Sequence, residues 1–195
     1  MIILARHGES EYSVLGLMNG DVTLPVGLTE TGVRQARALG DALAGEAVDL
    51  CVTSEFRRAR ETADLALAGR DVPRLVLGEL NDPLYGPYEG AHIDAFRDWA
   101  AAAGATAAPE PGGESRVAIA GRYAAAFRAL AERPERGILV VCHSLPVAYA
   151  LAGREGRPPE PREPLVPYAT PYRFTRAELA RAAAVLEAWV ASPTW

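Results

Sequence analysis

Met1-Ile2-Ile3-Leu4-Ala5-Arg6-His7-Gly8-Glu9-Ser10 opens the chain, and its reading decides the fold. Five apolar residues form a short strand, which runs out at an Arg-His pair followed by glycine. Arg offers a planar fork of donors, His a nucleophilic nitrogen, and Gly a close approach of the backbone. A strand that delivers all three at its carboxyl end has the chemistry of a phosphate site. Taken alone, Arg-His-Gly is equally well a surface charge beside a loop histidine. The rest of the chain decides between the two.

Two further apolar runs end in the same way. Asp49-Leu50-Cys51-Val52-Thr53 stops at Ser54, and Gly137-Ile138-Leu139-Val140-Val141-Cys142 stops at His143. The second of these is apolar without alternation, as suits a strand buried on both faces of a parallel sheet. Arg74 to Leu77 and Tyr172 to Phe174 read as two more strands.

Helices fit the spaces between. Thr29 can cap a helix from Thr31 to about Ala44, in which Val33, Ala36, Leu39 and Leu43 share a face. Ser54 and Ser144 read as caps of the helices after the second and third runs, the latter reaching about Leu151. A short helix is expected from Asp94 to Trp99 and a long one from Glu114 to Glu132. Thr175 and Glu178 have the capping-box spacing for a final helix to about Val190. The stretch from Glu11 to Leu28 and the Pro-rich run from Pro158 to Pro167 read as loops, the first long enough to be functional.

Strands alternating with helices predict a three-layer α/β/α sandwich with a mainly parallel central sheet, which binds ligands beyond the carboxyl ends of its strands. The 195 residues, 49% of them hydrophobic, suffice for one core, so residues 1–195 are expected to form a single domain. Two of the three histidines, His7 and His143, then occupy one edge of one sheet on different strands. That coincidence favours a site over two structural histidines.

Composition narrows the function. A net charge of −5 argues against a general nucleic-acid binder. No run approaches the roughly 18 apolar residues of a membrane span, and the amino terminus lacks the pattern of a secretory signal, so a soluble cytoplasmic protein is expected. Three histidines without paired Cys or His motifs predict no metal site. Cys51 and Cys142, each inside an apolar run, are expected to be buried free thiols.

Arg6-His7-Gly8-Glu9-Ser10 is followed in order by Gly20-Asp21, by Leu28-Thr29-Glu30-Thr31-Gly32 with Gln35-Ala36, and by Ser54 with Arg58-Ala59 and Thr62-Ala63. Next come the turn from Tyr85-Gly86 to Glu89-Gly90, then Pro111-Gly112-Gly113-Glu114-Ser115 and Val140-Val141-Cys142-His143. This ordered set, spanning residues 1 to about 150, resembles the histidine phosphatase superfamily, also called the phosphoglycerate mutase-like family.

The resemblance implies a phosphoglycerate mutase-like fold and a metal-independent phosphatase with no cofactor. His7 would take the phosphoryl group as a phosphohistidine that water then hydrolyses. Arg6 and Arg58 would clamp the phosphate oxygens, His143 would donate to one of them, and a carboxylic acid would protonate the leaving oxygen. The family position for that acid holds Asp82, one methylene shorter than the usual Glu, with Glu79 as a substitute. Ser13, Asn19, Gly20 and Ser144 are expected to contact substrate, although Ser13 and Ser144 depart from the usual Asn and Gly. His92, Tyr88 and Trp99 are candidates for the pocket mouth, with plain packing as the alternative.

The expected partner is a small phosphorylated metabolite, with no nucleic acid or membrane involved, and the protein is a monomer or homodimer. The competing readings are a phosphoglycerate mutase, which returns the phosphoryl group to the substrate, and a non-catalytic phosphate-binding module. The short segment between Gly90 and Gly113 favours hydrolysis over mutase activity.

Overall fold

The computed structural model describes residues 1–195. Its centre is a five-stranded sheet of β1 (Ile2–Arg6), β2 (Leu50–Thr53), β3 (Arg74–Val76), β4 (Ile138–Cys142) and β5 (Tyr172–Phe174), in the order β3-β2-β4-β1-β5. All pairings are parallel except that of β5 with β1. The helices are α1 (Glu11–Val14), α2 (Glu30–Ala42), α3 (Arg57–Ala66), α4 (Ile93–Ala103), α5 (Arg116–Glu132), α6 (Ser144–Arg154) and α7 (Arg176–Ala191).

Strand alternation divides the core between the two faces of the sheet. Ile2, Leu4, Val52, Ile138 and Val140 pack against Tyr123 and Phe127 of α5, Val147 of α6 and Leu186 of α7. Ile3, Ala5, Cys51, Leu139 and Val141 point the other way, onto Leu39 of α2 and Ala59 and Ala63 of α3. The α/β/α sandwich expected from the sequence is therefore observed. Each of the four aliphatic side chains of β4 is fully buried, and each contributes about 1.5–3 kcal/mol relative to an exposed position. Cys51 and Cys142 are buried free thiols. No helix is long and apolar enough to cross a membrane.

Local expectations fared unevenly. Thr29 accepts from Gly32 N at 3.0 Å, and Thr175 and Glu178 form the reciprocal capping box. The segment after Ser10 is not wholly irregular: it contains the single turn α1, secured where the Ser13 hydroxyl accepts the Ser10 N–H at 2.8 Å. The helix after Asp94 is longer than expected, because Ala100 to Ala103 continue it until Gly104 turns the chain at φ +80°.

Neither serine expected as a cap serves as one. α3 starts two residues later than expected, with Phe56 as its flanking residue, and Ser144 is already the first residue of α6. Both hydroxyls are engaged in tertiary contacts instead.

Candidate active site

Parallel pairing sets Arg6 of β1 opposite Cys142 of β4, and the ladder continues where the His7 amide donates to Cys142 O at 2.9 Å. His7 and His143 are thus the first residues past the ends of adjacent strands. Their rings meet edge to face with centroids 5.2 Å apart. β2, on the other side of β4, brings Ser54 beside the second ring, its amide donating to Val141 O at 3.3 Å. The chain leaves β1 for α2 on one face of the sheet and leaves β4 for α6 on the other. Such a divergence opens the crevice in which α/β sheets hold ligands.

The loop after β1 is braced from behind. Gly8 N donates to Thr62 Oγ1 at 2.9 Å, and that hydroxyl donates to Arg58 O at 2.7 Å. A Cβ on Gly8 would stand 2.6 Å from Gly32 O, so only glycine lets the start of α2 approach this closely.

His7 Nδ1 lies 2.6 Å from Gly8 O. A carbonyl only accepts, so Nδ1 carries the proton and Nε2 keeps its lone pair. Arg58, 3% exposed, links the site together. Its Nε donates to His7 Nε2 at 3.2 Å, Nη1 to Asn19 Oδ1, and Nη2 to Asp82 Oδ2 at 2.8 Å and Asn19 O at 3.1 Å. His143 Nδ1 is 3.0 Å from the same Asp82 oxygen, and its Nε2 is 2.9 Å from Ser54 Oγ. The Phe56 ring supports Arg58, with Cζ 4.1 Å from its centroid. Arg6 is held by Val166 O at 2.8 Å and by the Tyr168 ring, 3.7 Å from Cζ. Its buried Nε has no partner within the protein and is free to donate to a ligand.

A family model described as the histidine phosphatase superfamily, branch 1, matches residues 2–191. The chain belongs to this family. Over 89 residues it is 46% identical to the adenosylcobalamin/alpha-ribazole phosphatase of Salmonella typhimurium, covering 46% of this chain and 43% of that protein. Over 102 residues it is 36% identical to a 2,3-bisphosphoglycerate-dependent phosphoglycerate mutase of Methylobacterium, covering 50% and 48%. The matched stretch is therefore about half the length of these curated relatives. A crystal structure of a putative alpha-ribazole-5'-P phosphatase from Escherichia coli K-12 superposes with a TM-score of 0.71, at 32% identity over 80% of each chain.

The protonation states of the site follow from burial and neighbouring guanidinium groups. Burial, reinforced by Arg58, His143 and Arg6, holds His7 well below the ordinary imidazole value, so the ring is neutral. Burial likewise pushes His143 down to about 4, against the pull of Asp82. Burial alone would raise the Asp82 carboxyl, but His143 and Arg58 beside it outweigh that and hold it well below the usual carboxylate range. One proton arrangement satisfies all three groups: His143 Nδ1–H donates to ionised Asp82, and the Ser54 hydroxyl donates to His143 Nε2.

The ligating atoms of His7, Asp82 and His143 lie within 4.8 Å of one another, a set that by donor type could hold a metal ion. Arg58 already bonds to two of the three, and a cation would have to displace it. The surroundings are those of an anion site.

Arg6, His7, Arg58 and Asp82 line a cavity of about 200 Å³, together with Ser13, Asn19 and Ser144. Asn19 grips Arg58, and the Ser144 hydroxyl accepts from Val166 N at 2.8 Å. Gly20 does not line this cavity. Its amide donates to the Glu89 carboxylate at 2.9 Å, and a Cβ there would meet Pro83 O at 2.1 Å. Glu79 is exposed on a 3-10 turn, Gly78–Leu80, outside the cavity, whereas Asp82 lines it beside Arg58 and His143. His92 is exposed and caps α4, while Tyr88 and Trp99 stack around Phe96.

Several lining residues escaped the sequence reading. Tyr168 arrives through a parallel bridge to Arg6 from the loop after α6. Arg97, Arg116 and Arg162 come from α4, α5 and the same loop. Nothing in their local sequence distinguishes them from solvated surface residues.

Proposed function

We propose that this chain is a phosphatase that hydrolyses a small-molecule phosphomonoester through a phosphohistidine on His7, working as one 195-residue domain in the cytoplasm without a metal ion. The observation that carries the reading is the neutral His7 ring. Its Nδ1–H is anchored on Gly8 O, so Nε2 presents a lone pair to a cavity containing two guanidinium groups.

In the first step His7 Nε2 attacks phosphorus. The N–P bond forms as the P–O bond to the leaving group breaks; Arg6 and Arg58 stabilise charge on the equatorial oxygens, and the His143 Nδ1–H joins them once protonation of Asp82 releases it. Asp82 is ionised in the free protein. A bound phosphoryl dianion draws Arg58 away from it and adds negative charge nearby, and both effects raise its proton affinity. Asp82 thereby takes up a proton from solvent as the substrate binds, and it gives that proton to the leaving oxygen. In the second step Asp82 takes a proton from water, the water oxygen bonds to phosphorus, and the N–P bond breaks, which returns neutral His7 and free phosphate.

Relatives of both phosphatase and mutase names match the chain. The short segment between Gly90 and Gly113 supports hydrolysis. The test is hydrolysis of p-nitrophenyl phosphate in excess EDTA, with trapping of an acid-labile phosphoenzyme. Activity is expected in the parent protein and lost in His7→Ala; full activity in that variant excludes the mechanism. Incubation with 3-phosphoglycerate separates the mutase alternative, which yields 2-phosphoglycerate instead of phosphate. A parent protein that binds phosphate without turnover would instead be the non-catalytic module.

A further inference from the structure

The cavity that contains His7 is more basic than one phosphoryl group requires. It is lined by five guanidinium groups, those of Arg6, Arg58, Arg97, Arg116 and Arg162, against the two carboxylates of Asp82 and Glu163, in a chain whose net charge is −5. Arg6 and Arg58 serve the phosphate. The other three stand on different elements, two of them helical.

Two of the three are committed. Arg162 pairs with Asp98, and Arg97 donates through Nη2 to Glu163 O at 3.0 Å. The Glu163 carboxylate accepts the Glu160 amide at 2.9 Å. Arg116 has no ion pair, and its Nε is buried without a partner. Its guanidinium attracts the Glu163 carboxylate across the cavity, and its contact with Phe96 is distant, 5.8 Å from Cζ to the ring centroid, near the limit of a cation–π interaction.

The position of Arg116 is also unfavourable for the fold. It is the first residue of the 17-residue α5, whose opening turn contains no acidic side chain, so a cation sits at the positive end of the helix dipole. The Tyr149 hydroxyl beside it lacks a well-aligned hydrogen bond, and the charge and donors of Arg116 oppose the effect of burial on that phenol without satisfying the Arg116 Nε. A buried donor without an acceptor, set against the dipole and facing a ligand cavity, is explained if the acceptor arrives with the ligand.

We propose that Arg116 is the centre of a second anion-binding subsite in this cavity, and that the substrate is a phosphomonoester whose body carries a second anionic group, a carboxylate or another phosphoryl group. This rests on the phosphatase reading above and narrows it to a substrate class. Leu17, Met18, Ile93 and Leu145 also line the cavity and would contact the substrate body.

The test is a series of ω-phosphonooxyalkanoates of two to eight carbons, compared with their primary amides and with the corresponding terminal bisphosphates. For at least one length, the carboxylate or the bisphosphate is expected to exceed the amide by about tenfold or more in kcat/KM, mainly through KM. Which of the two wins identifies the second group. Arg116→Gln is expected to bring that anion-to-amide ratio close to one, and Arg116→Lys to restore part of it.

Equal losses on anion and amide in Arg116→Gln would assign the residue a purely structural role and overturn the inference. So would hydrolysis of p-nitrophenyl phosphate with no anion preference at any length. Failure of the parent protein to hydrolyse p-nitrophenyl phosphate would instead overturn the phosphatase reading, and this inference with it.

Discussion

Arg58 Nε donates to His7 Nε2 at 3.2 Å and so occupies the lone pair of that nitrogen. In the free protein the guanidinium therefore holds the line along which a phosphorus atom must approach. In the proposed mechanism the group that recognises the phosphate also shields the nucleophile, and an anion has to draw it aside before attack.

Replacing Arg58 tests both roles. A lysine keeps the charge but has neither the fork nor the reach to bond Asn19, Asp82 and His7 together. Arg58→Lys is expected to lower kcat/KM for p-nitrophenyl phosphate by about 10²-fold or more. A loss of less than about threefold would show that positive charge alone suffices.

The proposed mechanism has Asp82 act on the leaving group, so the effect of its removal should depend on what leaves. A phenolate departs with little help from an acid and an alkoxide does not. Asp82→Asn is expected to slow alkyl-phosphate cleavage by about 10²-fold and aryl-phosphate cleavage by far less. Equal slowing of both substrates would point away from Asp82 as the donor.

The loop bearing Asp82 is held from behind by Arg122. That guanidinium donates to Glu79 O at 2.9 Å, Asn81 O at 2.7 Å and Asp82 O at 3.2 Å, and it is fixed in turn by Glu114. Arg122 touches no reacting atom and works as a positioning residue. Arg122→Met should reproduce the leaving-group pattern of Asp82→Asn and cost about 1–3 kcal/mol of stability through the carbonyls left unpaired. Lower stability with an unchanged alkyl-to-aryl ratio would limit Arg122 to holding the fold.

Stability should fall with acid over a window set by His143. The folded chain keeps this ring neutral down to about pH 4, whereas an unfolded chain protonates it near its ordinary 6.5. Between these values the unfolded state binds more protons, so this contribution is complete above pH 6.5 and lost as pH falls. The expected loss across the window is about 3 kcal/mol. Urea midpoints measured from pH 7 to pH 4 should decline less steeply in His143→Gln, and parallel declines would contradict the assignment.

Much of this architecture is legible in the chain. The apolar runs ending at Arg6, Ser54 and His143 are the three central strands, because burial on both faces of a parallel sheet demands an unbroken apolar run. Two histidines just past such runs had to share a sheet edge. The misread caps are equally instructive. Ser54 and Ser144 have ideal capping chemistry, yet one hydroxyl bonds to His143 and the other accepts from Val166, since nothing local reveals a partner 89 or 22 residues away.

By itself the sequence determined the sheet and set Arg6, His7 and His143 at strand ends through short-range pattern, while the ordered motifs gave the family and, through that resemblance, Arg58. Tertiary structure alone decided that β1 and β4 are neighbours, that Asp82 pairs with Arg58 and His143 while Glu79 stays exposed, and that Gly20 turns its amide to Glu89. It alone brought Tyr168, Arg97, Arg116 and Arg162 to the same cavity. Strand and helix patterns record which side chains avoid water, whereas the meeting of distant polar groups depends on how loops close over the sheet, and no local periodicity encodes that.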